Sequence, residues 1–222
     1  MFDRQSLHTG TYLRHFDHLP PERVWSPARI EASLEHFLAR RPDHCEETWL
    51  FGYGSLIWNP MLAFDERVAA SLTGWHRSFC MRMVAGRATP CSPGRMLSLE
   101  PGGRVEGVAL KLAGDHWREE LAGVWVREMV TGAYVPAWLP LTLQDGRRCV
   151  AVVFTVNTHE DHWEHDSRPQ HIAPLIRAAR GPFGSNADYV YRLQAALAAE
   201  TIDDDYVEAL VSALGAGAVL PE

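Results

Sequence analysis

The order of the predicted strands and helices constrains this fold more than any other feature of the sequence. Apolar strand segments separated by turns fill most of residues 48–156, and one helix, from about Asp115 to Met129, interrupts them. One helix, capped by Ser26, precedes this region, and further helices follow it. Because strands and helices do not alternate regularly, the order predicts an α+β domain on a mainly antiparallel sheet or barrel.

Turn residues divide the strand region into separate segments. The strands are predicted at residues 48–51, 67–72, 78–84, 96–99, 105–112, 138–143 and 148–156. A Glu-Pro-Gly-Gly-Arg sequence at 100–104 predicts a hairpin, and Asp145-Gly146 predicts another. After the last strand, Ser167 is predicted to cap the first of the C-terminal helices.

Composition excludes several classes of protein. The chain has 222 residues and a formal net charge of -7, which argues against a general nucleic-acid binder. Hydrophobic residues make up 46% and charged residues 22%, which is typical of a globular protein, and we expect a single domain over residues 1–222. No apolar run approaches the ~20 residues of a membrane span, so we expect no membrane partner.

The four cysteines are widely spaced and contain no C-x-x-C pair. They are Cys45, Cys80, Cys91 and Cys149. This spacing argues against a zinc ribbon or a thioredoxin-type motif. The N-terminal residues contain no hydrophobic signal core. We therefore expect free thiols and a cytoplasmic protein.

One carboxylate interrupts the apolar pattern of the helix that starts near residue 115. The apolar face of this helix consists of Trp117, Leu121, Val124 and Trp125. Glu128 lies on the same face, because eleven steps of about 100° from Trp117 return close to the starting direction. Burial without a partner would raise its pKa. Alternatively, the helix ends there and Glu128 turns outward, or an arginine such as Arg127 pairs with it.

A turn rich in glycine follows the first apolar strand. It consists of Gly52, Tyr53, Gly54, Ser55, Leu56 and Ile57. Glycines allow backbone N–H groups to converge, which creates a concave site for a carboxylate or an oxyanion. Ile57 replaces the third glycine of a dinucleotide fingerprint, and Gly54 directly precedes Ser55, unlike in a nucleophile elbow. The alternative is an ordinary tight turn at a strand end.

Three other polar features have simpler structural alternatives. The histidines at 159, 162 and 165 suggest a metal site, but Trp163 stands where an H-E-x-x-H motif needs histidine, so we expect a solvated loop and no metal. Arg95, after a Pro-Gly pair, is a candidate to bind a substrate carboxylate, although arginines on a strand edge are more often surface residues. Tyr134 follows the glutamate helix and either presents its hydroxyl to a site or packs in the core.

Two segments together resemble the ChaC-type, glutathione-specific γ-glutamylcyclotransferases in their bacterial form. They are residues 51–60, FGYGSLIWNP, and residues 126–134, VREMVTGAY. Further segments at 74–77, 93–96 and 181–189 resemble the same family in order and spacing. The resemblance covers about residues 49–214, so residues 1–45 are expected to form an N-terminal extension with a helix.

The resemblance implies both a fold and an activity. The fold is the cyclotransferase-like one: a mixed, mainly antiparallel β-barrel of about six strands with flanking helices. The activity is cleavage of glutathione to 5-oxoproline and cysteinylglycine without a cofactor. In the family, the turn matching Gly52 to Ile57 holds the γ-glutamyl group, and the glutamate matching Glu128 is the acid/base.

That reaction is consistent with the residues found above. The α-amine of the substrate attacks its own γ-carbonyl carbon, so no protein nucleophile is needed, and one carboxylate with a raised pKa can accept and return the proton. Three alternatives remain: a cyclotransferase for other γ-glutamyl amides, a non-catalytic γ-glutamyl-binding module, and a serine hydrolase that uses Ser55 with one of the eleven histidines. The oligomeric state is left open by the sequence.

Overall fold

Five strands close into a barrel in this computed structural model, which describes residues 4–9, 11–17 and 19–216. The strands are β1 (Trp49–Gly52), β2 (Phe64–Met83), β3 (Gly94–Leu112), β4 (Tyr134–Leu143) and β5 (Arg148–Val156). Their order around the barrel is β1-β3-β2-β4-β5, and β1 closes it by pairing in parallel with β5. All other pairs are antiparallel. The expected mixed, mainly antiparallel barrel is confirmed, with five strands where about six were predicted.

Two strands are longer than the sequence indicated. β2 contains both segments predicted at 67–72 and 78–84, and β3 contains both segments predicted at 96–99 and 105–112. These two strands pair along almost their whole length. By contrast, the hairpin between β4 and β5 is confirmed: the amide of Gly146 donates to the carbonyl of Leu143 at 3.0 Å.

The hairpin predicted at residues 100–104 is wrong, because this segment continues β3 as a bulge. Thr73 pairs with Arg104 and Trp75 pairs with Pro101, so β3 has one more residue than β2 between these positions. The two glycines of the segment adopt φ values of +112° and +73°. Their left-handed backbone allows the extra residue to fit within a continuous strand.

Six α-helices in the described residues flank the barrel. They are α1 (Arg4–His8), α2 (Pro27–Leu38), α3 (Trp117–Met129), α4 (Pro169–Ala178), α5 (Asn186–Ala199) and α6 (Asp205–Ala216). Two short strands, β6 (Arg180–Gly181) and β7 (Gly184–Ser185), lie between α4 and α5. Ser26 caps α2 as predicted, since its hydroxyl accepts from the amide of Arg29 at 3.2 Å. The Ser167 cap is wrong: Arg168 occupies the N-cap of α4 and uses no side-chain cap.

The predicted apolar face of α3 packs into the core and fixes the orientation of its last turn. Trp125 is fully buried, and its ring contacts Phe37 of α2 at 4.9 Å and Phe154 of β5 at 5.4 Å between centroids. Burying a tryptophan removes about 200 Å² from water. At ~25 cal/mol per Å² this stabilises the packing by on the order of 5 kcal/mol before entropy is counted. The residues after Trp125 are therefore held firmly against the barrel.

The cysteines are all free, as the sequence predicted. Cys80 is buried, Cys91 is exposed, and the other two are partly buried. Burial raises the pKa of the Cys80 thiol to about 12. Across the described part of the chain, no helix combines the length and the apolar composition that crossing a membrane requires.

Candidate functional site

The turn after β1 is a single 3-10 turn at Ser55–Ile57. The amide of Ile57 donates to the carbonyl of Gly54 at 2.9 Å. Gly54 is needed for close packing rather than for a positive φ, because a Cβ there would lie 2.9 Å from the hydroxyl of Tyr189. Gly52 is similar, since its Cβ would lie 3.1 Å from that of Leu56. The glycines therefore bring the turn close to its neighbours.

A buried arginine from β2 holds this turn from behind. Arg77 donates through Nε to the carbonyl of Tyr53 at 2.8 Å, and through its other nitrogens to the carbonyl of Glu106 and to Asp204. Burial lowers the pKa of Arg77, and the Asp204 carboxylate opposes this shift. The hydroxyl of Tyr53 in turn donates to the carbonyl of Phe154 at 2.6 Å. The turn is thereby fixed to β2 and to β5.

Glu128 lies in the last turn of α3, with 15% of its side chain exposed. Its Oε1 atom is 3.1 Å from Nε of Arg127. Burial raises the pKa of Glu128, and the positive charge of Arg127 opposes part of that rise. Two of the sequence interpretations thus hold together, since the carboxylate is largely buried and an arginine pairs with it.

Arg127 also connects Glu128 to the turn after β1. Its guanidinium donates to the hydroxyl of Ser55 at 2.5 Å and to the carbonyl of Asn59 at 2.8 Å. The sequence identified Arg127 only as a possible partner of Glu128. Its contacts with Ser55 and Asn59 join segments about 70 residues apart, and no local pattern predicts them.

Three tyrosines stand around Glu128. The hydroxyl of Tyr134 donates to the carbonyl of Leu97 at 3.0 Å, and the ring of Tyr189 packs edge-on against Trp58 at 5.4 Å. Burial raises the pKa of Tyr53, Tyr134 and Tyr189, and the charge of Glu128 acts in the same direction. All three hydroxyls therefore remain protonated at neutral pH. Sequence reasoning did not single out Tyr189, although it lies in the 181–189 segment.

Glu128 stands where a narrow cavity meets a wide one. The narrow cavity, of about 30 Å³, is lined by the turn, Glu128 and the rings around it. The wide cavity, of about 710 Å³, has the size of a typical small-molecule site. The residues that line both are Ser55, Glu128, Tyr134 and Tyr189. A ligand in the wide cavity can therefore extend one end towards the turn and Glu128.

The wide cavity is strongly basic although the chain as a whole is acidic. Six arginines contribute to its lining: Arg23, Arg82, Arg87, Arg95, Arg127 and Arg192. Among the described residues that line it, Glu128 is the only carboxylate. Several arginines on the low-dielectric walls of a cavity create a positive electrostatic potential inside it. This cavity therefore favours an anionic ligand.

Arg95 lies in the wide cavity and not in the narrow one. Only 6% of the residue is exposed, and its Nε atom has no hydrogen-bond partner among the described residues. Another guanidinium nitrogen is 3.5 Å from Glu164, so Arg95 contacts a neighbouring loop. The side chain of Asn186 fixes its backbone with hydrogen bonds of 2.8 and 3.0 Å. This pairing joins the 93–96 and 181–189 segments in space.

The structure brings most of the other predicted site residues together. Tyr53, Gly54, Ser55, Leu56 and Tyr134 line the narrow cavity with Glu128. Gly52 and Ile57 do not line it, and the carbonyl of Ile57 accepts from Arg67 at 3.0 Å.

The histidines that the structure describes form neither a catalytic pair with Ser55 nor a metal site. Ser55 accepts from Arg127, and none of the histidines that the structure describes hydrogen-bonds to it. His162 lines the wide cavity. In the same described ranges, no three His, Cys, Asp or Glu side chains come together as possible metal ligands.

The chain is similar to a known protein family and to named relatives in bacteria and mammals. The model of the family described as ChaC-like protein matches residues 48–216. A glutathione-specific γ-glutamylcyclotransferase of Escherichia coli (strain K12) is 45% identical over 205 residues, which cover 92% of this chain and 88% of that protein. Glutathione-specific γ-glutamylcyclotransferase 1 of Mus musculus is 30% identical over 173 residues, covering 75% and 78% of the two chains.

A solved structure shares the fold. The crystal structure of a yeast γ-glutamyl cyclotransferase specific to glutathione superimposes with a TM-score of 0.70. It is 22% identical and covers 77% of this chain and 96% of its own. Since the family model and the bacterial relative both match most of the sequence, the chain belongs to the ChaC-like protein family.

Proposed function

We propose that this chain is a γ-glutamylcyclotransferase that cleaves glutathione to 5-oxoproline and cysteinylglycine, with Glu128 as general acid and base. The observation that carries the proposal is the position of Glu128, a largely buried carboxylate of raised pKa where the narrow cavity opens into a basic one. The names of the bacterial and mouse relatives support the choice of substrate.

The narrow cavity, of about 30 Å³, is too small to hold a whole γ-glutamyl group. The γ-glutamyl end is therefore assigned to the junction of the two cavities, beside Ser55, Glu128, Tyr134 and Tyr189, which line both. The cysteinylglycine end extends into the wide cavity, whose arginines suit the glycine carboxylate. Arg95 is our candidate to bind that carboxylate, because its buried Nε has no acceptor among the residues that the structure describes.

The reaction begins with loss of a proton from the α-ammonium of the substrate to Glu128. The α-nitrogen then attacks the γ-carbonyl carbon and closes a five-membered ring, and the carbonyl oxygen takes up negative charge. We assign the stabilisation of that oxyanion to backbone N–H groups of the turn. The bond from the γ-carbon to the cysteine nitrogen breaks as Glu128 returns that proton to the departing nitrogen. The ring nitrogen loses a second proton, which converts the released amine to its ammonium form.

Holding the substrate in a folded conformation supplies much of the rate. Bringing the amine and the carbonyl of one molecule together can lower the barrier by ~7 kcal/mol or more. The rearrangement exchanges one amide bond for another without any change of oxidation state, so we propose that it needs neither a protein nucleophile nor a cofactor. Arg127 positions Glu128 and, by its charge, keeps its pKa from rising further.

The cellular compartment and the domain organisation are also part of this proposal. The reaction takes place in the cytoplasm, since four free thiols suit a reducing compartment. The N-terminal extension belongs to the same domain as the barrel, because Phe37 of α2 stacks on Trp138 of β4 at 4.8 Å.

The test is a mass-spectrometric product assay of the purified protein. Glutathione, γ-glutamyl amino acids and γ-glutamyl amines are incubated separately, and 5-oxoproline and the released amine are followed. The proposal predicts both products from glutathione and much less from the others. Equal or faster turnover of the other amides would contradict the substrate assignment. Tight binding of glutathione without any product would contradict catalysis and favour a binding role.

A further inference from the structure

The N-terminal segment, defined as the described residues between 4 and 25, lies outside the residues that the family model matches. Its two ends are attached near the two ends of the Glu128 helix. Arg4 forms an ion pair with the buried carboxylate of Glu120, and the amide of Trp25 donates to the carbonyl of Val130 at 2.8 Å. The ring of Trp25 occupies the space that a Cβ at Gly132 would need.

The middle of the N-terminal segment runs along the wide cavity. Three of its apolar side chains are buried in one cluster with Ala85 and Val130, namely Tyr12, Phe16 and Leu19. The ring of His15 meets that of Phe183, in the turn between β6 and β7, at 5.2 Å. The segment thus contacts both the end of α3 and the turn between β6 and β7, which also lines the cavity.

The N-terminal segment faces only one part of the site. Five of its residues line the wide cavity: Tyr12, His15, Phe16, Leu19 and Arg23. Of the residues that the structure describes in this segment, none lines the narrow cavity. The segment therefore lies beside the part of a substrate that projects beyond the reacting carbonyl.

The backbone of Arg23 lies in a short 3-10 turn, Pro21–Arg23. Two prolines precede it, and its amide donates to the carbonyl of Pro20 at 2.8 Å. It lies two residues before the attachment at Trp25. Its charge reaches His162 on the loop after β5: burial lowers the pKa of His162, and Arg23 adds to this effect. The amide of Arg82 donates to the carbonyl of His162, so both arginines face this part of the cavity.

We propose that the N-terminal segment completes the subsite for the leaving peptide, and that Arg23 binds the terminal carboxylate of that peptide together with Arg95, since both arginines line the wide cavity. This inference rests on the proposed function, and it assigns substrate selection to residues outside the ChaC-like match. Arg23 is exposed, so its contribution to affinity is that of a partly solvated charge pair, which is modest.

The test compares glutathione with its glycine-amide analogue, which has almost the same size but lacks the terminal carboxylate. Wild-type protein is expected to prefer glutathione in kcat/KM. Arg23→Gln should reduce this preference about fivefold by raising KM for glutathione, with kcat unchanged and little effect on the amide. Arg23→Lys should retain most of the preference. Arg14→Gln is the matched control, because Arg14 is an exposed arginine of the same segment outside the cavity lining.

Two results would overturn this proposal. One is an unchanged preference in Arg23→Gln, and the other is an equal loss on both substrates, which would indicate a purely structural role. If wild-type protein forms no product from glutathione, the proposed function fails separately. Calorimetric binding of glutathione and of the amide to the same variants then decides the role of Arg23, and equal affinities in wild type and Arg23→Gln would refute it.

Discussion

The narrow cavity and the outer part of the wide cavity differ in how their residues are held. At the narrow end, Glu128 and the turn are fixed by the packing of α3 and by the buried Arg77. In the outer part, exposed arginines such as Arg23 and Arg192 come from the N-terminal segment and from α5. We infer a division of roles from this difference: the barrel and α3 fix the reacting groups, and the periphery selects the substrate.

The largest effect is expected from removing the buried arginine behind the turn. Arg77→Ala leaves Asp204 and two carbonyl groups without their donor, so the free energy of unfolding should fall by about 3–5 kcal/mol. Arg192→Ala, in the exposed outer part, should change it by less than about 0.5 kcal/mol. Urea unfolding measures both. Similar losses for the two variants would remove the distinction between the regions.

A methyl group at Gly54 tests how precisely the narrow end is built. In Gly54→Ala the new Cβ would lie 2.9 Å from the hydroxyl of Tyr189 and 3.1 Å from Leu97, so either ring or turn must shift. A shift of ~1 Å in a positioned group can cost ~100-fold in rate, and we expect kcat/KM to fall at least about tenfold. Gly114→Ala is the control, because its Cβ would approach nothing closer than 3.9 Å.

Unchanged kinetics in a folded Gly54→Ala protein would show that the narrow end tolerates displacement. The narrow cavity and the outer part of the wide cavity would then differ in their charge but not in how precisely their residues must be positioned.

The smallest effect concerns how the stability depends on pH. Because burial raises the pKa of Glu128 in the folded state, folding favours its protonated form, and this contribution is lost as pH rises through the raised pKa. Glu128→Gln cannot titrate. The free energy of unfolding of Glu128→Gln minus that of wild type should therefore increase from about pH 4 to about pH 8. A flat difference for Glu128→Gln would contradict the raised pKa.

Local patterns predicted much of the barrel, but they misread one long-range feature. Asp145-Gly146 forms its hairpin because the turn needs only adjacent residues. The glycines at 102 and 103 form a bulge instead, and only their pairing opposite β2 distinguishes a bulge from a turn. Two glycines with positive φ suit both structures equally well.

In the candidate site, too, local sequence patterns predict some residues, and others depend on long-range contacts. Glu128 stands out in the sequence because helical periodicity is local, whereas Arg127 and Tyr189 acquire their roles from segments far apart in the chain. The described N-terminal segment contains the short helix α1 and two short 3-10 turns, so its place beside the cavity depends on packing against the rest of the chain.

The proposed mechanism depends on Glu128 carrying the proton in the cyclisation of glutathione. The most direct measurement is the rate of 5-oxoproline formation from glutathione by wild type, Glu128→Gln and Glu119→Gln, with circular dichroism to verify folding. We expect a loss of at least ~100-fold in kcat for Glu128→Gln and near wild-type turnover for Glu119→Gln. A folded Glu128→Gln protein that still forms 5-oxoproline at close to the wild-type rate would contradict it.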